Sequence, residues 1–251
     1  MSGSALGITL RNIHKTFAPD VTVLDGLDLK IEAGKFTALI GPSGCGKTTI
    51  LRMIGGLEAP EKGEIEFPST SPTTGFCFQE PRLLPWRSVR GNVGLPLELA
   101  KVGTHARSEA VDAAIDLVGL TDAADRLPSA LSGGMQMRAA LARSLVTDPG
   151  LLLLDEPFGS LDDVTRFRLD EDVSRLVAAR EVTVLLVTHS ISEAVFLADE
   201  IVVLSNRPAN IVDRFDVNFE HRDEDLRVTP AFAEISARVY ETLRSGTENP
   251  S

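Results

Sequence analysis

Gly41-Pro42-Ser43-Gly44-Cys45-Gly46-Lys47-Thr48 fits the pattern G-x-x-x-x-G-K-[ST] at every fixed position. The apolar run Phe36–Ile40 leads into it and predicts a strand; Lys47–Ile54 follows and predicts a helix, stopped by Gly55-Gly56. This context gives the motif physical meaning. Glycines let the backbone curl so that successive N–H groups face one anion. The helix N-terminus adds the positive end of its dipole. Lys47 supplies a mobile charge for β- and γ-phosphates, and the Thr48 hydroxyl suits Mg²⁺. The loop therefore predicts a nucleotide-phosphate site over Gly41, Pro42, Ser43, Gly44, Cys45, Gly46, Lys47, Thr48 and Thr49.

Working outward, the chain has 251 residues, 43% apolar and 24% charged, which suits a soluble globular chain of one large domain or two small ones. That composition excludes long disorder and a disulfide-stapled miniprotein. The net charge is 25 − 36 = −11, a poor basis for nonspecific nucleic-acid binding, so no nucleic-acid partner is expected. Cys45 and Cys77 lack C-x-x-C spacing and fit a reducing compartment. Met1–Gly7 carries neither a basic region nor a long apolar stretch, so no secretory leader is expected. No run approaches the ~18 apolar residues of a membrane span. If the protein works at a membrane, another chain supplies the membrane part.

Ile8 and Leu10, then Leu27, Leu29 and Ile31, alternate with polar neighbours and predict half-buried strands. Gly63–Phe67 and Gly75–Phe78 predict further short strands. From about Glu80 to Leu145 the pattern turns helical: Val111, Ala114, Ile115 and Val118 share one helix face, and a second helix is expected from about Met135 to Leu145. Leu151–Leu154 and Val182–Val187 are continuous apolar runs, as in strands buried on both faces of a parallel sheet. Ile201–Leu204 and Ile211–Val217 predict later strands, and Ala231–Leu243 a terminal amphipathic helix.

Two more features carry chemistry. Leu151–Glu156 is an apolar strand ending in two acids, and carboxylates at the C-terminal end of a parallel strand face the ligand crevice. Asp155 there suits Mg²⁺, and Glu156 can take a proton from an attacking water. Leu131-Ser132-Gly133-Gly134 is a second glycine-rich helix start with a capping hydroxyl, hence a second anion site or simply an ordinary cap. The order is telling: phosphate loop, Gln79, Leu-Ser-Gly-Gly, Leu-Leu-Leu-Leu-Asp-Glu, then His189 after a buried strand.

With these motifs the sequence resembles the ATP-binding-cassette (ABC) ATPases over roughly Ile8–Arg214. The resemblance implies an α/β P-loop NTPase fold: a RecA-like core over about 1–79 and 146–214, an antiparallel β subdomain, and a helical insert over about 80–145. Residues 215–251 would form a C-terminal extension. It implies ATP and Mg²⁺ as ligands. Gln79 looks like the Q-loop glutamine, sensing Mg²⁺ and the attacking water, and Leu131–Gly134 like the signature that meets the γ-phosphate of the opposite protomer. Ser160-Leu161-Asp162 resembles the D-loop, His189 the switch histidine, and Phe17 stands where an aromatic ring stacks on adenine. Lys47, Gln79, Glu156 and His189 would be catalytic; Thr48, Gln79 and Asp155 would hold the metal. Met135 replaces the usual glutamine of the signature, and Ser190 the aspartate often found after the switch histidine. Neither removes a group needed to bind ATP or activate water, so an active ATPase is expected.

The resemblance also implies a homodimer with two ATP molecules at its interface. Glu80–Arg90, with the single tryptophan, Trp86, looks like the docking stretch of importer ATPases in the nitrate/sulfonate/taurine group, and Glu193–Pro208 resembles the same group. That group implies integral-membrane permease subunits, an extracytoplasmic solute-binding protein, and a peripheral position on the cytoplasmic face of the membrane. An ABC exporter ATPase and a non-transport ABC clamp are the alternatives. The group implies uptake of a small anion such as a sulfonate, taurine or nitrate, without fixing which.

Overall fold

The computed structural model describes residues 5–68, 73–159, 161–178 and 180–248. Nine strands and eight α-helices follow one another among them: β1 (Ile8–Phe17), β2 (Val21–Ile31), β3 (Phe36–Ile40), α1 (Lys47–Ile54), β4 (Lys62–Glu66), β5 (Thr74–Cys77), α2 (Val89–Val93), α3 (Leu95–Leu99), α4 (Thr104–Leu117), α5 (Gly133–Leu145), β6 (Leu151–Asp155), α6 (Asp163–Ala178), β7 (Thr183–Thr188), α7 (Ile191–Leu197), β8 (Glu200–Leu204), β9 (Ile211–Asp216) and α8 (Pro230–Glu248).

The apolar runs form the central sheet, in the order β5-β6-β7-β3-β8-β9. Its first five strands run parallel; β9 turns back antiparallel against β8. Strand alternation explains why these runs are continuously apolar. Leu152 and Leu154 of β6 join one core with the helical insert, while Leu151 and Leu153 join a second core with α1 and the N-terminal sheet. Val184 and Leu186 of β7 divide from Leu185 and Val187 in the same way. Each such leucine, fully buried, contributes about 1.5–3 kcal/mol. The N-terminal strands make a separate antiparallel sheet, β2-β1-β4, and bury Ile8, Leu10, Leu27 and Leu29 toward α1.

The helical insert is less regular than its composition predicts. Residues 80–88 are not helical. Pro81 and Pro85 disfavour helix there, and Arg143 of α5 holds the segment by donating to the carbonyls of Pro81 (2.7 Å) and Arg82 (2.8 Å). Helix α5 begins at Gly133, two residues before the expected Met135, because Ser132 caps it and accepts the Met135 N–H. Gly75 is required by close approach: a Cβ there would lie 2.2 Å from the Ser144 carbonyl oxygen of α5. Helix α8 runs past the expected Leu243, and its Phe232 and Val239 enter the core that also holds Phe196 and Ile201. Among the described residues no helix is long and apolar enough to cross a membrane.

Candidate functional site

The loop Gly41–Gly46 joins the C-terminal end of β3 to the N-terminus of α1. Gly46 has φ +124°, and a Cβ there would stand 2.6 Å from Val23 Cγ1, so only glycine suits both backbone and space. Cys45 is buried and burial pushes its thiol up; it packs as a small apolar group, and its N–H donates to the Pro42 carbonyl. Lys47 is almost fully buried, and its Nζ donates to the carbonyls of Gly41 (2.8 Å) and Pro42 (3.0 Å). The amine thus spans the loop it belongs to.

Strand β6 delivers the acids where expected. Thr48 Oγ1 donates to Asp155 Oδ1 at 2.8 Å. Burial pushes the Asp155 carboxyl up, partly countered by that hydrogen bond. Glu156 takes the left-handed conformation, φ +45°, and its N–H donates to the Val187 carbonyl of β7. This turn aims Glu156 Oε2 at His189 Nδ1, 3.1 Å away, and at Gln79 Nε2, 3.5 Å away. Three loops, after β5, β6 and β7, therefore converge beside the phosphate loop. A cleft of about 500 Å³ runs over this ground, from Phe17 at one end, across Ser43–Thr49, to Gln79 and Glu156 at the other. Phe17 is 39% exposed, with Lys15 Nζ 5.2 Å from its ring centroid.

The second glycine-rich start lies elsewhere. Ser132 and Gly133 are exposed, and Gly134 packs tightly on Thr165, where a Cβ would come within 2.7 Å of Cγ2. Asp162 caps α6, accepting from Thr165 N (3.0 Å) and Thr165 Oγ1 (2.7 Å), and these bonds hold its carboxyl below the usual range. Ser132, Gly133, Gly134 and Asp162 thus form a patch with each other. None of them lines the cleft between Phe17 and Glu156. Ser160, expected in the D-loop stretch, lies outside the described residues. Ser190 caps α7, accepting the Glu193 N–H at 3.2 Å, which is the work an aspartate would do there.

Sequence reasoning gave Arg207 no role, yet it lines the cleft. Its Nη2 lies 3.5 Å from where a Gly44 Cβ would be. The loop carrying it is pinned by Ser205 N–H to the Asn210 carbonyl and Ala209 N–H to the Val23 carbonyl, both 2.9 Å. The signal available was an Arg-Pro pair separated by two residues from the end of an apolar strand.

Comparison with known proteins agrees with this fold. The ABC transporter family pattern matches residues 24–159. An aliphatic sulfonates import ATP-binding protein, SsuB 1, of Mesorhizobium japonicum is 48% identical over 198 residues, 78% of this chain and 74% of that one. Its counterpart in Pseudomonas syringae pv. syringae is 40% identical and covers 94% of this chain and 95% of its own length. Among solved structures, the dimeric ATP-binding cassette MJ0796, in a post-hydrolysis state bound to ADP and Pi, superposes with a TM-score of 0.75 at 28% identity, over 84% of this chain and 99% of that one.

Proposed function

The chain belongs to the ABC transporter family as an ATP-hydrolysing cassette, and from that premise we propose that it powers import of aliphatic sulfonates. The observation that carries the substrate class is the 40% identity to a sulfonate import ATP-binding protein across 94% of the chain. The same names favour import over the exporter and clamp alternatives.

Each residue at the cleft then has a physical task. The adenine stacks on Phe17, and the phosphates lie against the N–H groups of Ser43–Thr49, with Lys47 as their cation. Glu156 accepts a proton from the attacking water, and His189 and Gln79 hold the carboxylate and the γ-phosphate in register. Thr48, Asp155 and Gln79 offer the hard oxygen donors that suit Mg²⁺, and because burial disfavours the Asp155 carboxylate a cation beside it would favour the charged form. When bound, the ion neutralises charge on the β- and γ-phosphates. Arg207 is a further cation for the phosphates. Arg207→Ala is expected to raise the Kd of ATP and ADP by about 10-fold and to leave adenosine unaffected, with Arg207→Lys in between. Unchanged ADP affinity in a fluorescent-nucleotide titration removes Arg207 from the site.

Ser132–Gly134 and Asp162 do not line the chain's own cleft. A second copy related by a twofold axis would set them against it, so two nucleotides complete the interface of a homodimer. Trp86, 72% exposed, is the permease anchor. Its turn is held rigid by the fully buried Asn92, whose side chain accepts from Leu84 N–H and donates to the carbonyls of Leu84, Arg87 and Ser88. The subunit sits on the cytoplasmic face of the membrane, below permease subunits fed by an extracytoplasmic solute-binding protein.

The test is reconstitution of the chain with its membrane partner and binding protein in liposomes. Mg²⁺-dependent ATP turnover should rise when the binding protein carries an alkanesulfonate. Trp86→Ala should keep ATP binding in the isolated chain and lose the permease. Equal stimulation by nitrate and none by sulfonates would overturn the substrate class.

A further inference from the structure

After β9 the chain makes a short 3₁₀ turn, Glu224–Val228, capped by Asp223. Arg227 leaves this turn and enters the body of the protein. Its Nη2 donates to Asp170 Oδ2 of α6 at 2.5 Å, and its Nη1 to Ser192 Oγ of α7 at 2.8 Å. The guanidinium lies 3.9 Å from the Phe196 ring centroid and 4.4 Å from that of Phe167. Asp170 is fully buried.

These contacts end one turn from His189. Ser192 lies in the first turn of α7, which starts two residues after His189. The neighbouring Glu193 is 2% exposed, accepts from Thr188 Oγ1 at 2.6 Å, and has Arg166 Nε 3.6 Å away. Ser190 N–H donates to Thr188 Oγ1 at 3.0 Å. Residues 188, 190, 192 and 193 therefore share one polar cluster around two buried carboxylates and two arginines. One arginine comes from the segment that follows β9. The His189 side chain is 61% exposed and meets Glu156. Its place is set by the backbone turn that this cluster holds.

We infer that Arg227 is a positioning residue: through Ser192 and Asp170 it fixes the start of α7, and so the distance from His189 to Glu156, making the C-terminal extension part of the hydrolytic unit. The burial argument agrees. Desolvation pushes the Asp170 carboxyl up to about 7, with the Glu193 charge adding to it and Arg227 opposing it. Two carboxylates this buried require cations, and among the described residues the arginines that face them are Arg227 and Arg166. Loss of the Ser192 contact frees the turn, and a contact that must stay within about 0.5 Å of its working geometry then drifts.

The inference rests on the reading of His189 as a catalytic group, so the experiment separates the two. Arg227→Met leaves a buried carboxylate uncompensated and can impair folding; Arg227→Met with Asp170→Leu removes both charges and still loses the Ser192 anchor. In the folded variant, kcat for ATP is expected to fall about 10-fold while the ATP Kd stays within twofold. The His189 ring proton resonance should shift, with those of the distant His14 and His105 unmoved. An unmoved His189 resonance overturns the inference, as does a weakened Kd with kcat intact. If the resonance moves and kcat does not, His189→Ala decides the cause: lost turnover in that variant condemns the Arg227 link, and intact turnover condemns the reading of His189.

Discussion

Glu156→Gln is expected to lower ATP turnover by about 10²–10⁴-fold, with ATP affinity changed only a few fold. The substitution keeps the shape of the side chain and removes its ability to accept a proton. Geometry says why this should fall on chemistry rather than on folding. Glu156 Oε2 is shared between His189 at 3.1 Å and Gln79 at 3.5 Å, on the wall of the cleft. Its backbone is fixed independently, by the N–H bond to the Val187 carbonyl. An amide can still accept from either neighbour, so the turn should survive. Blocked hydrolysis has a second, physical readout. ATP favours the closed dimer by its differential affinity for that state, and hydrolysis removes the preference. With Mg²⁺-ATP the variant should therefore elute at twice 27.0 kDa, that is 54 kDa, where wild type equilibrates between one copy and two. Turnover like wild type would mean that another group activates the water.

The fold was legible wherever one residue's environment is set locally. The runs Leu151–Leu154 and Val184–Val187 are apolar throughout because both faces of their strands are buried, and that reads directly from composition. The phosphate loop reads from spacing because its glycines answer to backbone geometry, as the φ of +124° at Gly46 shows. What sequence reasoning missed depends on neighbours distant in the chain. Residues 80–88 lie in a helical stretch by composition, yet two prolines and the Arg143 contacts keep them out of helix. Arg207 lies next to Gly44 only because β8 pairs with β3. Arg227 reaches Asp170 across 57 residues and Ser192 across 35, and in sequence it belongs to a charged stretch that suits a solvated surface. The patch of Ser132–Gly134 and Asp162 was legible as chemistry, but its expected destination, the opposite protomer, came from the family resemblance and not from spacing, since these residues do not line the chain's own cleft.

Lys47→Ala should have the largest effect on binding. Lys47 is 5% exposed and holds the carbonyls of Gly41 and Pro42, so the amine is pre-placed at the mouth of the loop. Its truncation removes charge-assisted contacts to the phosphates, each worth about 1.5–3 kcal/mol, and an ATP Kd about 50-fold higher is the expected result. Stabilisation by ligand distinguishes lost binding from lost fold. At an ATP concentration 100 times the wild-type Kd, wild type gains about 2.7 kcal/mol of stability. A variant with 50-fold weaker binding sees the same ATP at twice its own Kd and gains RT ln 3, about 0.65 kcal/mol. Thermal unfolding without nucleotide reads the cost of losing the bonds to Gly41, which is buried, and to Pro42 separately from any loss of binding. Unfolding with ATP should then separate the two proteins by several degrees. Adenosine, which offers no phosphate, should bind both alike through Phe17. If ATP protects the variant as fully as wild type, Lys47 does not hold the phosphates, and its bonds to Gly41 and Pro42 serve only to close the loop.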